Sequence, residues 1–444
     1  MQLKKSRSIR NKLALASSAL LISAPAHTVA KEAKKVSVED SFSISQLYYD
    51  EKDRVSVEKT QAVITKEISE DDKVKLSFIY DTMSGASPNG RIYTVLGGED
   101  GSITYTTASG TSNTVASNGG SGPVEAWKTS FKDTRKAYNA EWEHAIIPTL
   151  KAVIGGGLST ENDYESKTFS GKLLLDLNQR RTTLTGGFSV SLDTVDPFGG
   201  IPEGSATIVC HENAFFRPNW LDCDTPAQHY KPGDKVVNDY LIGITQVWNR
   251  RTLMQFNIAI GREDGYLTDP YKQVSIISSQ LDKNEVAVLH EKRPDTRNTR
   301  SLYYKLVHIP TDKIALNSSY RLFWDDWGVL AHTFDARAIL EPSAKIYFQI
   351  HARAHWQGAA DFFQPYIGAD SSTLYYEKNK PDIISADSRL GELANFTAGA
   401  KVGLKINKDA SISGRIEQLT TRYDNKLLPT LKTFISQIIL KINF

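Results

Sequence analysis

The chain has 444 residues, of which 40% are hydrophobic, and 53 Lys and Arg residues nearly balance 51 Asp and Glu residues to give a net charge of +2. That balance, with no basic patch interleaved with aromatic residues, argues against a nucleic-acid partner. The sequence after residue 30 has no long uncharged apolar run and so predicts no transmembrane helix. A membrane β-barrel stays open as a fold class, because only alternate residues of its strands face lipid.

Residues 1–30 predict a cleaved secretory signal peptide. A basic stretch, Lys4–Lys12, precedes a short apolar run, Leu13–Ile22, and Thr28-Val29-Ala30 supplies small residues at a cleavage site. The apolar run is too short to cross a bilayer as a helix. We therefore expect an exported protein.

Residues 31–40 are highly charged and predict a periplasmic lead-in, and residues 41–444 predict a single β domain. Its first strands are expected at residues 41–50 and 55–67. Four segments rich in turn-forming residues interrupt the later strands, and we interpret them as long loops at about 83–132, 193–235, 263–298 and 357–392.

Cys210 and Cys223 are the two cysteines of the chain, and both fall in the second long loop. An exported protein enters an oxidising compartment, so we predict that the pair forms a disulfide. The neighbouring residues His211 and Asp224 leave a metal site as the alternative.

The C-terminal third has the clearest period of two. Phe348 and Ile350 lie on one face of a predicted strand, and His351 and Arg353 lie on the other. These runs have roughly the length that a tilted strand needs to cross a bilayer, which is more than the usual soluble strand. A soluble core cannot accept so many unpaired charges, whereas a wet lumen can, so the apolar face is expected to contact lipid.

Parity supports a transmembrane antiparallel barrel of about sixteen strands. If both ends of the barrel domain lie in the periplasm, short and long connections must alternate. Counting back from Phe444, the periplasmic turns fall at about residues 408, 342, 311, 250, 179, 147 and 70. All four long loops then fall on the outer side, and the strand count is even, as expected for single-chain outer-membrane barrels.

Residues 432–444 resemble the closing strand of such a barrel. Phe434, Ile438 and Ile442 share one face, and Phe444 is the terminal residue. An ordinary half-buried edge strand has the same period. We expect this strand to pair with the first one and Phe444 to be the terminal signal read by the barrel assembly machinery.

Aromatic residues near predicted strand ends indicate girdles at the lipid boundaries. We place Tyr48, Tyr49, Tyr80, Trp324, Trp327 and Trp356 at outer strand ends and Trp248 and Phe444 at inner ends.

Several motifs together resemble a bacterial family known as domain of unknown function 3570. They include Tyr48–Val57, Gly85–Gly90, Gly265–Lys272, Arg293–Arg297, Trp324–Gly328 and Ala359–Phe363. The resemblance spans nearly the whole mature chain and implies a Gram-negative outer-membrane barrel. Its members are often encoded beside a thioredoxin-like protein, a small lipoprotein and a flavin transferase. It implies no catalytic residue, because no activity is established for the family.

Asp325 and Asp326 lie near the outer rim in this interpretation. They are candidates for a charged constriction with the lumen residues Arg321, Arg337 and Arg353, or for Ca²⁺ binding with loop carbonyls. The alternative is a tight turn with salt bridges that hold adjacent strands in register.

His351 and His355 share the polar face but lie ~13 Å apart along a strand, too far for one metal ion. We expect each of them to form hydrogen bonds in the lumen, with Asp335 or Glu341 of a neighbouring strand as a possible partner. The sequence has no G-x-S-x-G, H-E-x-x-H or P-loop motif, and we predict no catalytic residue, metal or cofactor.

The leading hypothesis is an outer-membrane channel or transporter with a charged lumen, surrounded by lipid and lipopolysaccharide. A second is an anchor for an exported redox or flavin-linked assembly, with a periplasmic thioredoxin-like protein and a small lipoprotein as partners. A third is an enzyme whose site lies at the rim.

Overall fold

A computed structural model of the chain describes residues 40–52, 54–93, 102–106, 112–116, 125–197, 200–202, 207–208, 210–212, 221–223, 228–229, 231–278, 285–369, 381–425 and 428–444. The predicted signal peptide and nearly all of the predicted lead-in lie outside these residues. The described part contains no helix that is long and apolar enough to span a membrane.

The described residues form β-strands joined by turns and loops. The sixteen long strands are β1 (Ser41–Glu51), β2 (Val55–Glu67), β3 (Asp72–Tyr93), β6 (Glu125–Ile147), β7 (Leu150–Thr160), β8 (Tyr164–Leu177), β9 (Thr182–Val195), β15 (Gly233–Asn249), β16 (Thr252–Gly265), β19 (Thr296–Thr311), β20 (Ile314–Asp325), β21 (Leu330–Leu340), β22 (Ile346–Gln357), β24 (Leu393–Lys405), β25 (Ala410–Tyr423) and β26 (Leu431–Asn443). The short strands are β4 (Ser102–Thr106), β5 (Ser112–Ala116), β10 (Ile201–Pro202), β11 (Thr207–Ile208), β12 (Cys210–Glu212), β13 (Leu221–Cys223), β14 (Gln228–His229), β17 (Gln273–Ser278), β18 (Glu285–His290) and β23 (Ile367–Ala369).

The sixteen long strands close into one antiparallel barrel. The closure joins β1 to β26, in a register that runs from Ser41 opposite Asn443 to Glu51 opposite Thr433. The backbone N–H of Phe444 then donates to the carbonyl of Asp40 at 2.8 Å. The predicted sixteen-stranded barrel and its closing strand are confirmed.

One rim of the barrel carries tight turns and the other carries the long connections. The turns, at residues 68–71, 148–149, 178–181, 250–251, 312–313, 341–345 and 406–409, lie at or within two residues of the predicted ones. We call this rim the turn end and the opposite rim the loop end. The first and last strands begin and finish at the turn end.

Alternation divides the barrel strands into an apolar outer face and a polar inner face. Ile242, Ile350 and Ile438 point outward and are 60 to 72% exposed, and such rows recur around the barrel. A continuous apolar belt of this kind is not tolerated in water. It matches the lipid-facing band of a membrane barrel.

The first long loop is shorter than predicted. β3 and β6 stay paired well beyond the barrel, to Tyr93 opposite Glu125, so the connection shrinks from 83–132 to residues 94–124. The prediction was wrong there because it depended on apolar alternation. A hairpin that projects above the lipid is held by its backbone ladder and needs no apolar face.

Two predicted girdle positions are wrong. Trp248 and Trp356 do point outward, with 70% and 50% of their surface exposed, but Trp327 is only 4% exposed. Tyr49 lies on the inner face of β1, where its hydroxyl donates to Glu51 Oε1 at 2.5 Å. Because successive residues of a strand point in opposite directions, Tyr48 and Tyr49 cannot both face lipid.

Candidate functional site

Connections at the loop end fold into a shared structure, which we call the cap. It comprises residues 266–278, 285–295, 326–329, 358–369 and 381–392. Its strands β18, β17 and β23 form a four-stranded sheet together with β11, which belongs to the β9–β15 connection. The apolar core of that sheet contains Val274, Ile276, Leu289, Ile384 and Ala386. Burial of these side chains gives the cap a hydrophobic core of its own.

The cap extends across the mouth of the barrel. Gly90, on the projecting part of β3, has a φ of +93°, and a Cβ there would lie 2.3 Å from the carbonyl oxygen of Gln273. β3 and β20 are eight places apart in the ring of sixteen strands and therefore face each other. Tyr271 of the cap also donates to Asp163, in the β7–β8 connection, at 2.6 Å. The cap thus joins opposite sides of the loop end.

A second apolar cluster attaches the cap to the lumen side of the wall. Leu267, Trp327, Val329, Ala360 and Leu390 pack together and against Phe323, which lies on the inner face of β20. The amide of Gln357, on the inner face of β22, donates to the carbonyl of Arg389 at 2.8 Å. These contacts place residues 389–391 inside the rim and explain why Trp327 is buried.

Buried charges link the cap segments to one another. Arg293 lies 2.7 Å from Glu291 and 2.8 Å from Asp387. Arg389 lies 2.5 Å from Asp387 and 2.6 Å from Asp269. Glu291 and Asp387 are each about 1% exposed, so these ion pairs hold segments far apart in sequence.

Burial alters the titration of two adjacent cap residues. It raises the pKa of Glu291 to about 7, against the lowering effect of Arg293. It lowers the pKa of His290 to about 4. Asp387 differs: burial alone raises its pKa, but Arg389, Lys272 and Arg293 outweigh burial and hold the pKa below its ordinary value. Removal from water disfavours the charged form unless cations compensate.

Asp325 and Asp326 shape the β20–β21 turn. Asp325 lies 2.6 Å from Arg297 and accepts hydrogen bonds from the backbone N–H groups of Trp327 and Val329 at 3.0 and 2.9 Å. Asp326 accepts from Asn298, at 2.8 Å from its backbone N–H and 2.7 Å from its side-chain amide. The partner of Asp325 is thus Arg297, not Arg321, Arg337 or Arg353. These bonds correspond to the turn alternative rather than to a constriction or a Ca²⁺ site.

The middle of the lumen wall contains a compact cluster of opposite charges, Asp335, Arg337, His351, Arg415 and Glu417, which we call the ion-pair cluster. His351 Nε2 lies 2.9 Å from Asp335 and its Nδ1 lies 2.8 Å from Glu417. Arg337 and Arg415 lie 3.4 Å from Asp335 and Glu417 respectively. His351, Asp335 and Glu417 are 5 to 6% exposed, so every carboxylate here is buried and paired.

Glycine makes this cluster possible. His351 on β22 reaches Glu417 on β25 across the intervening strand β24, where the inward position is Gly399. A Cβ at Gly399 would lie 2.3 Å from the Glu417 side chain. The sequence predicted that His351 faces the lumen with Asp335 as a possible partner. It did not reveal Glu417, and inward glycines between charged positions were the available signal.

Arg321 and Arg353, which we call the arginine pair, lie nearer the cap on the same wall. Within the described part of the chain no carboxylate oxygen lies within 4.0 Å of either guanidinium group, and both residues are exposed. Thr333 is the cross-strand neighbour of both Arg321 and His355. Its hydroxyl lies 2.8 Å from His355 Nδ1.

A cavity of about 280 Å³ separates the arginine pair from the cap. Arg321, Arg353, Thr333 and His355 form its polar side. Phe323, Ala331 and Leu390 form its apolar side. Arg321 also lies over the Phe323 ring, 5.5 Å from its centroid. The cavity therefore combines two cations, two hydrogen-bonding side chains and an apolar surface.

Several charges on the opposite wall form ion pairs. Lys151 lies 2.8 Å from Glu143, and Arg135 lies 2.6 Å from Asp81. Lys75 and Glu141 are 3.7 Å apart. Among the described residues, however, no carboxylate lies within 4.0 Å of Lys172 on this wall or of Lys305 and Lys401 deeper in the lumen, so positive charge without an ion pair is not confined to the cavity.

Three carboxylates at the loop end come close enough to hold a metal ion. Ligand atoms of Asp133, Glu161 and Asp163 lie within 4.8 Å of one another. Burial, followed by the nearby Asp133, raises the pKa of Glu161 to about 7. Arg135 lies 4.0 Å from Glu161, and Tyr271 donates to Asp163. The backbone N–H groups of Thr134 and Asn162 donate to Asp133 at 2.7 and 3.3 Å, so protein groups contact all three carboxylates.

The backbone places the two cysteines opposite each other. Cys210 in β12 and Cys223 in β13 are direct antiparallel partners. Direct antiparallel partners have Cα atoms roughly 4.5–5.5 Å apart, which lies within the range that disulfides span. The disulfide itself stays a prediction.

Comparisons with known proteins found distant barrels. No curated protein matches the chain. A bacterial polysaccharide outer membrane secretin is 8% identical, with a TM-score of 0.44 over 91% of this chain and 98% of that chain. OccK5 (OpdH) of Pseudomonas aeruginosa is 7% identical, with a TM-score of 0.39 over the same shares. Scores this low support no inference about the activity of this chain.

The motifs singled out in the sequence converge on the cap. Gly265–Lys272, Arg293–Arg297 and Ala359–Phe363 supply cap residues, and Trp324–Gly328 forms the turn beneath it. The family described as "Protein of unknown function (DUF3570)" matches residues 10–438. The chain therefore belongs to the DUF3570 family.

Proposed function

We propose that the protein is an outer-membrane channel whose outer mouth is crossed by the cap. A closed ring of sixteen strands is wide enough for an aqueous path. The charged inner face is the observation that carries the proposal, since water must reach exposed guanidinium groups such as those of Arg321 and Arg353. The apolar outer face supports a location in the lipid bilayer.

In this proposal the loop end faces the outside of a Gram-negative cell and the turn end faces the periplasm. Outer-membrane barrels have short periplasmic turns and longer outer loops, which matches the two rims of this barrel. The lipid and lipopolysaccharide of the outer membrane then surround the belt. Phe444, 68% exposed at the turn end, is available to the barrel assembly machinery.

The channel is expected to prefer anions. Along the path below the cap, the arginine pair contributes two positive charges, and Lys305 and Lys401 contribute two more deeper in the lumen. Among the described residues, no carboxylate lies within 4.0 Å of any of these four groups. Fixed charges of one sign in a narrow passage raise the local concentration of the opposite ion.

Reconstitution in planar bilayers tests the channel. We expect discrete current steps, with a reversal potential in a KCl gradient that indicates preference for chloride. The double variant R321Q/R353Q should weaken that preference. A barrel shown to be folded by heat-dependent gel mobility, but carrying no current, would contradict the proposal. Co-purification of a thioredoxin-like protein or lipoprotein with that silent barrel would instead favour the anchor hypothesis.

A further inference from the structure

We infer that the cavity beneath the cap is a binding site for a small organic acid, with its carboxylate at the arginine pair and its apolar body against Phe323, Ala331 and Leu390. The inference names a solute class for the proposed channel and rests on that function. Its test nevertheless does not depend on conduction.

The charge of the site comes from Arg321 and Arg353. Two other arginines, Arg297 and Arg389, also line the cavity, but they are bound to Asp325 and Asp387 at 2.6 and 2.5 Å. The arginine pair has no such partner in the described residues. Guanidinium groups bind carboxylates through two parallel hydrogen bonds, so a carboxylate ligand would supply the missing counter-charge.

The neighbouring polar groups also fit a carboxylate. Thr333 is cross-strand neighbour to Arg321 and lies within hydrogen-bonding distance of His355. In the tautomer with the proton on Nδ1, His355 donates to the Thr333 hydroxyl, and the hydroxyl proton is then free to donate to a ligand oxygen. Nearby Asp335 is the cross-strand neighbour of Arg353, but its oxygens lie 2.9 Å from His351 and 3.4 Å from Arg337. Asp335 therefore makes its close contacts with His351 and Arg337, and it acts on Arg353 only at longer range, without an ion pair.

The apolar side decides between an organic acid and a bare inorganic anion. Phe323, Ala331 and Leu390 would stay uncovered if phosphate or chloride occupied the cavity alone. A ligand body of a few carbon atoms would cover them and gain roughly 25 cal/mol for each Å² of apolar surface removed from water. A volume of about 280 Å³ is at the small end of ligand sites, so the acid must be compact.

Equilibrium binding to the detergent-solubilised full-length barrel tests the inference by calorimetry. Benzoate is the probe, benzamide is its neutral match in shape, and inorganic phosphate is an anion without an apolar body. We expect benzoate to bind at least tenfold more tightly than either. Equal affinity for benzoate and benzamide would overturn the role of the arginines, and equal affinity for benzoate and phosphate would overturn the apolar side. These comparisons need no variant.

Substitutions then locate the site. R321Q and R353Q should each weaken benzoate binding about tenfold or more, as expected for loss of a charge-assisted bond. R321K keeps the charge but loses the planar fork and should weaken binding by a smaller factor. K172Q is the matched control, because Lys172 faces the lumen from the opposite wall outside the cavity. If K172Q weakened benzoate binding as much as R321Q does, the inference would be overturned, because benzoate would then be attracted by the overall charge of the lumen and not bound in this cavity.

Failure of this site and failure of the channel are distinguishable. Benzoate binding without current supports the site and contradicts the channel. Current without benzoate binding supports the channel and contradicts the site.

Discussion

The ion-pair cluster and the arginine pair lie on neighbouring strands of one wall, but they satisfy their charges in different ways. In the ion-pair cluster each carboxylate lies within 3.4 Å of a cationic or imidazole nitrogen and is almost fully buried. In the arginine pair both cations are exposed, and the described residues supply no carboxylate to them. The first arrangement holds strands together, and the second leaves charge available to a solute.

The largest difference is expected in stability. E417A removes one carboxylate of the ion-pair cluster and leaves His351 buried and Arg415 half-buried without it, which should cost about 3–5 kcal/mol of the free energy of unfolding. R321A is the matched control, since Arg321 has no ion-pair partner among the described residues and its loss should change stability by less than about 1 kcal/mol. Urea unfolding in phospholipid vesicles measures both. Equal losses of unfolding free energy in E417A and R321A would contradict the view that the ion-pair cluster stabilises the barrel and the arginine pair does not.

The cap that covers the arginine pair should respond to pH through two opposing residues. Folding raises the pKa of Glu291 to about 7, so the folded cap binds more protons than the open one and loses stability as pH rises from about 4.5 to 7. Folding lowers the pKa of His290 to about 4, so the cap gains stability as pH rises from about 4 to 6.5. In the wild type the two effects are opposite in sign, so the stability of the cap should change little with pH over the range in which both residues titrate.

Variants separate the two slopes. In H290Q only the Glu291 effect remains, so raising the pH from 5 to 6.5 should destabilise the cap by about 2 kcal/mol. In E291Q only the His290 effect remains, and the same rise in pH should stabilise the cap by a similar amount. Hydrogen exchange of the β17 and β18 amides reports cap opening. Slopes of the same sign in the two variants would show that these residues do not control the cap.

A smaller effect is expected when the arginine pair is given a carboxylate. T333E places an acid beside Arg321 and near Arg353, and should stabilise the barrel by about 1 kcal/mol. The same change should weaken benzoate binding, because the new side chain occupies the position of the ligand. T333Q is the neutral control of similar size. If T333E binds benzoate as the wild type does, the arginine pair is not the binding element.

The barrel followed from the sequence because lipid imposes period two on every strand, including the imperfect ones near the N-terminus. The inward direction of Arg321, Arg353 and His351 followed from the same alternation. The cap did not, because its segments lie in different loops and meet only after the barrel closes. The burial of Trp327 could not be predicted from the sequence. Trp327 lies in a hairpin turn, where the alternation of inward and outward residues does not apply, so the local pattern cannot distinguish contact with lipid from burial under a loop.

The partners of the charged residues were harder still to predict. Alternation gives the face of Glu417 but not its distance from His351, which depends on Gly399 in the strand between them. The sequence offered Arg321, Arg337 and Arg353 as candidate partners of Asp325 because they face the lumen, whereas Arg297 reaches it from the adjacent strand β19.

The cap interlocks the β16–β19, β20–β21 and β22–β24 connections with the tip of β3. None of these connections can swing aside alone, because each contributes residues that the others bury. We therefore expect these connections to separate together, as one cooperative unit, rather than one at a time.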